Sequence, residues 1–174
     1  MRHFFYLVFA AFLLQSCGPT YSLLQRYEFS EQLSDKVLYV SLYNIEEEVQ
    51  LYREYNQSAQ VERLRENLLQ QNQLIQKAFQ EAYDFTDFVF YEPYGRFDPD
   101  GHFTAHFEIQ DHYDDRGIRN QMHVLVLTTP DNQQFVLGSS PAGFSNSYQR
   151  AVNTANIRLH GWHQDGLALK EKKN

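Results

Sequence analysis

The clearest signal along this chain is an alternation. Phe103, Ala105, Phe107 and Ile109 are interleaved with His102, Thr104, His106, Glu108 and Gln110. Successive strand side chains point to opposite faces, so the stretch predicts a half-buried strand with one wet face. Asp98-Pro99-Asp100-Gly101 just ahead of it predicts a turn, with Pro at the second position and Gly at the left-handed one. Lys36–Asn44 is rich in β-branched and aromatic residues and predicts another strand, with Leu38, Val40 and Leu42 on one face and Tyr39, Ser41 and Tyr43 on the other. Phe85–Glu92, Met122–Thr129 and Gln134–Gly138 predict three more, the last two joined by a hairpin at Pro130-Asp131-Asn132.

The remaining pattern is helical. No Gly or Pro interrupts Ile45–Tyr83, and Val61, Leu64, Leu68, Ile75, Phe79 and Ala82 recur at the spacing of an amphipathic stripe. Asn56-Gln57-Ser58 is a candidate break into two helices. Tyr148, Ala151, Val152, Ala155 and Leu159 predict a final helix, with a capping box from Asn146 and Gln149 and Gly161 as its stop. Strand, long helix, four strands and helix predict one α+β domain: a largely antiparallel sheet of about five strands, with a long helix and a C-terminal helix on one face.

Composition narrows the function. Of 174 residues, 43% are hydrophobic and 16% aromatic, enough for a packed core. Lys and Arg number 15 against 22 Asp and Glu, a formal charge of −7 that argues against a nucleic-acid partner. A lone cysteine excludes an internal disulfide framework and a Cys-rich zinc site.

That cysteine closes a distinctive opening. A basic head, Met1-Arg2-His3, precedes the uncharged run Phe4–Leu14, which rises about 16 Å as a helix, roughly half the hydrocarbon thickness. This is the layout of a secretory signal peptide. Leu14-Gln15-Ser16-Cys17 resembles the lipobox of bacterial lipoprotein precursors. The resemblance implies cleavage before Cys17, diacylglycerol on its sulfur and an acyl chain on the new amino terminus. It places the chain in the bacterial cell envelope, lipid-anchored, and Gly18 after the cysteine implies the outer membrane. Two or more chains give stable anchoring where one does not. Loss of residues 1–16 removes Arg2 and takes the net charge from −7 to −8. The expected organisation is signal peptide 1–16, lipidated tether 17–35 whose second half can dock on the domain, α+β domain 36–165 and polar tail 166–174. The body, with its strand, long charged helix and aromatic strand Phe88-Val89-Phe90-Tyr91, resembles small uncharacterised Bacteroidetes-type lipid-anchored proteins. That resemblance implies the fold and supplies no catalytic residues.

The best candidate for chemistry is His102, His106 and Glu108 with Asp111-His112-Tyr113-Asp114-Asp115, since imidazole and carboxylate together suit a transition metal or a base and its orienter. Strand geometry separates His102 from His106 by about 13 Å, and His106 from Glu108 by about 7 Å. A site centred on His106, Glu108, Asp111 and His112 therefore needs a third ligand from the loop or from a neighbouring strand. Asp98–Gly101 begins like a calcium loop, but Ile109 stands where the twelfth-position Glu belongs. Gly138–Gly143 lacks the second Gly of a nucleophile elbow at position 142 and predicts a loop instead. His160 and His163, at the expected end of the last helix, suit its negative pole. Tyr39, Tyr43, Tyr91 and the outer face of the long helix offer binding area for an envelope protein or a glycan. The pattern thus assigns no catalytic residue, metal ligand or cofactor. A non-enzymatic binding or structural module is the favoured reading, with a metal-binding module or metal-assisted hydrolase as the alternative.

Overall fold

The computed structural model describes residues 21–54, 58–93, 97–114 and 116–172. The signal segment, Cys17 and the candidate helix break lie outside these residues, apart from Ser58. Nine elements follow in order: α1 (Leu23–Ser34), β1 (Leu38–Ser41), α2 (Ile45–Glu54), α3 (Ser58–Ala82), β2 (Phe88–Tyr91), β3 (Phe103–Tyr113), β4 (Arg119–Thr128), β5 (Gln134–Pro141) and α4 (Ser147–Glu171).

The expected alternation sets the layers. Leu38 and Val40, Phe103, Ala105 and Phe107, Leu125 and Leu127, and Phe135 and Leu137 turn to one face and are buried there. Against them pack Phe29 and Leu33 of α1, Ile75, Ala78 and Phe79 of α3, and Tyr148, Ala151, Val152, Ala155 and Leu159 of α4. Phe79 alone meets Tyr83, Phe88 and Phe90 at centroid distances of 5.3, 5.5 and 6.1 Å. The molecule is therefore α+β, with five strands in the order β2-β1-β3-β4-β5 and its helices on one side. Among the described residues no helix is long and apolar enough to cross a membrane.

Four details differ from the sequence expectation. The long β3–β4 and β4–β5 ladders are antiparallel, but β1 pairs in parallel with both β2 and β3, so the sheet is mixed. The cause is a second crossover: β3 follows β2 in the chain yet lies parallel to it on the far side of β1, and Phe97 stacks on Tyr39 at 4.3 Å. Residues 23–34, expected as tether, form a helix whose Ser22 and Gln25 make a capping box and whose Tyr27, Phe29 and Leu33 are buried. The predicted box at α4 does not form. Asn146 makes no side-chain cap, and Gln149 donates instead to Glu81. Finally, α4 runs past Gly161 to Glu171, through the expected tail, because its last turns pack on α1. A Cβ on Gly166 would lie 1.6 Å from the Tyr27 ring.

Candidate functional site

β3 and β4 outrun their neighbours. β1 reaches only Phe103–Ala105, and β5 ends at Pro141 opposite Met122. Beyond those points the two strands continue to Tyr113 and Arg119 as a ribbon. Ile109–Tyr113 and Arg119–Gln121 are exposed, so about 17 Å of β3 stands clear of the sheet. The candidate His and acidic residues sit on the open face of β3 and on this ribbon.

β3 continues through the stretch read as a charged loop, and this decides the candidate site. Residues 106, 108, 110 and 112 share the open face, while Asp111 points to the other. His106 Nε2 lies 3.0 Å from Glu108 Oε1, and Gln110 donates to the second carboxylate oxygen at 2.9 Å. These two hydrogen bonds, Gln110 first, hold the Glu108 carboxyl below its ordinary range. Asp111 pairs across the ladder with Arg119 at 2.8 Å. Asp114 caps the ribbon turn, accepting from the backbone of Arg116 and Ile118 at 2.9 Å and from the Arg116 guanidinium at 3.0 Å. Asp115 lies outside the described residues. His106 and Glu108 thus pair with each other, Asp111 turns to the opposite face with Arg119, and the four proposed centre residues do not converge on one point. Among the described residues no three His, Cys, Asp or Glu side chains are placed to hold a metal ion.

The other sequence candidates resolve similarly. Asp98 Oδ1 accepts from Asp100 N at 3.0 Å and Gly101 takes φ +76°, as a turn requires. Gly138–Pro141 belongs to β5 rather than a loop, since pairing with β4 satisfies its backbone. A Cβ on Gly138 would stand 1.9 Å from the Ala151 carbonyl, so glycine there lets α4 lie on the sheet. His160 sits mid-helix and bonds Asp84 at 2.8 Å, beside Asn156 at 2.8 Å. These bonds, His160 first, lower the Asp84 carboxyl. Tyr39, Tyr91, Phe97 and His102 cluster on the open face, with Phe97 4.8 Å from Tyr91 and 5.5 Å from His102. Tyr43 instead packs against the core, and burial raises its phenol.

One polar pair escaped the sequence reading. His123 is buried between β4 and α4, its Nδ1 2.8 Å from Ser147 Oγ and its ring stacked 4.2 Å from Tyr148. Burial lowers its pKa, which favours the neutral imidazole. Strand parity was the available signal: His123 falls on the same face as Leu125 and Leu127. A serine–histidine pair can in principle activate a hydroxyl, but Ser147 is only 2% exposed, out of reach of a substrate. Beside the ribbon, His112, Arg119, Met122, Pro141 and Phe144 line a cleft of about 1040 Å³. No family model, curated protein or solved structure matches this chain.

Proposed function

We propose that this chain is an envelope lipoprotein, anchored through lipid on Cys17, whose domain acts as a non-enzymatic binding or structural module. The reading begins from the basic head, short apolar run and Leu14-Gln15-Ser16-Cys17. The observation that carries it is the polarity of the molecule. Tyr21 opens the described chain against the β4–β5 hairpin end, stacking 4.3 Å from Phe135 and donating to the Gln134 carbonyl. Four residues of chain span at most about 14 Å, so a lipid on Cys17 tethers this end close to the bilayer. The ribbon leaves the opposite end of β4, about 30 Å farther along the strand. An anchor at one end and a bare, paired-charge surface at the other suit a module that meets a protein or glycan away from its membrane.

The test is expression of the full chain in a bacterial host, detergent phase partition and mass spectrometry of the N-terminal peptide. The expected result is a peptide beginning at Cys17 that carries diacylglycerol, and a protein that follows the detergent. Cys17→Ser should abolish both. An unmodified cysteine, or partition unchanged by the substitution, overturns the anchor.

A further inference from the structure

Among the described residues the sheet has four stretches of free strand edge, and three of them are short or blunted. β4 beyond Met122 offers only Arg119–Gln121, and the Gln121 carbonyl accepts from Ala142 N at 2.8 Å. β2 is an edge only four residues long. β5 is interrupted by a register shift opposite Leu125/Val126 and ends in Pro141. Arg158 of α4 reaches over it to donate to the Leu137 carbonyl at 3.0 Å and the Val136 carbonyl at 3.4 Å. Short length, bulges, proline and covering cations are the usual guards against edge-to-edge pairing. The remaining edge, the side of β3 beyond Ala105, has none of them. Phe107–Tyr113 contains no Pro, Gly, Lys or Arg, and its pairing with β4 runs without a shift. Among the described residues its backbone bonds only to β4.

The side chains on this edge are self-complementary in one register. In a two-fold antiparallel pair of β3 strands, one residue must face its own copy. With Gln110 on the axis, Glu108 of each copy faces His112 of the other and Ile109 faces Asp111, which Arg119 already pairs. Centring on Ile109 sets His106 against His112, and centring on Asp111 sets two carboxylates together and Glu108 against Asp114. A carboxylate directly across from an imidazole that can donate to it supports a ladder, whereas like charges oppose it.

We infer that the free edge of β3 is a homodimer interface, in which two copies of this chain join their ribbons antiparallel about Gln110. The two ladders of the ribbons then form one continuous sheet across the axis, and the interface is small and concentration-dependent. The inference stands apart from the lipid anchor, because every residue it uses lies in the domain.

Sedimentation equilibrium of the full chain in density-matched detergent should give a doubled protein mass by roughly 100 µM, where a weak interface assembles. Gln110→Lys sets two ammonium groups face to face and should return the mass to that of one chain without moving the melting temperature. Val136→Lys, the same change on the guarded β5 edge, should leave the dimer intact. The register is read by cross-linking in a Cys17→Ser background. Gln110→Cys should form a disulfide with its own copy, since opposed Cα atoms at about 4.5–5.5 Å fit that bond. Glu108→Cys and His112→Cys should cross-link when mixed and not when alone. A monomer at all concentrations overturns the inference. So does a dimer indifferent to Gln110→Lys, a different cross-linking register, or a monomer whose β3 edge instead captures an extended segment of another protein.

Discussion

β3 passes through two environments without changing its pattern. In its first half Phe103, Ala105 and Phe107 lie under three helices and are buried. In its second half Ile109 and Tyr113 occupy the same face and are 52% and 61% exposed. The strand is equally regular in both. What changes is the cover: Phe107 still meets Tyr148 of α4 at 4.7 Å, and from Ile109 onward the strand is bare. Alternation therefore determines which way a side chain points, and only neighbouring elements determine whether water reaches it. The covered half holds the core, and the bare half holds the unspent backbone and paired charges.

Substitutions on the two halves should differ most where the same apolar chemistry is removed. Phe79→Ala, beneath the covered half, should cost about 3–5 kcal/mol in denaturant unfolding through lost burial and the cavity left behind. Ile109→Ser, on the ribbon, should stay within about 0.5 kcal/mol. Similar losses at both sites would mean the ribbon is covered after all. Next in size is Gly138→Ala, which drives a methyl into the Ala151 carbonyl. We expect about 3 kcal/mol, because backbone must shift to relieve the contact.

The boundary between the halves lies near His123, and it should answer to pH. Burial depresses the His123 pKa in the folded state, so the unfolded chain binds its proton first as pH falls. The contribution is fully present above the unfolded value of about 6.5 and is lost on acidification through the folded one. His123→Phe keeps the stack on Tyr148 but removes the bond to Ser147. It should cost about 1–2 kcal/mol at neutral pH and flatten the melting curve below pH 6.5, relative to the wild type. An unchanged acid slope would place the titration elsewhere. The smallest expected effect concerns metals. A site filled at 100 times its dissociation constant would add about 2.7 kcal/mol. With His106, Glu108, Asp111 and His112 spread over both faces of one strand, zinc, calcium and manganese should leave the melt unmoved. A shift with one metal, lost in His106→Ala, would restore the metal site.

Much of the covered half was legible in the chain. The β3 alternation and the stripe Val61, Leu64, Leu68, Ile75, Phe79 and Ala82 were read directly; Phe103, Ala105 and Phe107 are buried while Ile109 is exposed, and the stripe is buried apart from the half-buried Leu64 and Ala82. The Asp98–Gly101 and Pro130–Asn132 turns were equally plain, as Gly101 at φ +76° and Asn132 at φ +63° bear out. The candidate site was legible only as composition. His106, Glu108, Asp111 and His112 were found, but their grouping depended on a loop that continues instead as strand.

Helix and strand periodicity are local, because each residue's direction follows from its own backbone angles. Turn chemistry is local for the same reason. The sequence by itself therefore determined the α+β class, most of the elements and the inward-facing residues. Three matters were decided by partners distant in the chain. α1 became a helix on the domain because Phe29 found Phe135 and Trp162. Gly138–Pro141 became strand because β4 supplied its hydrogen bonds. The β2–β3 connection became a parallel crossover because Phe97 packed across β1 onto Tyr39. In each case the local signal was weak or pointed elsewhere, and burial or ladder bonding outweighed it, since these energies exist only once the sheet has assembled.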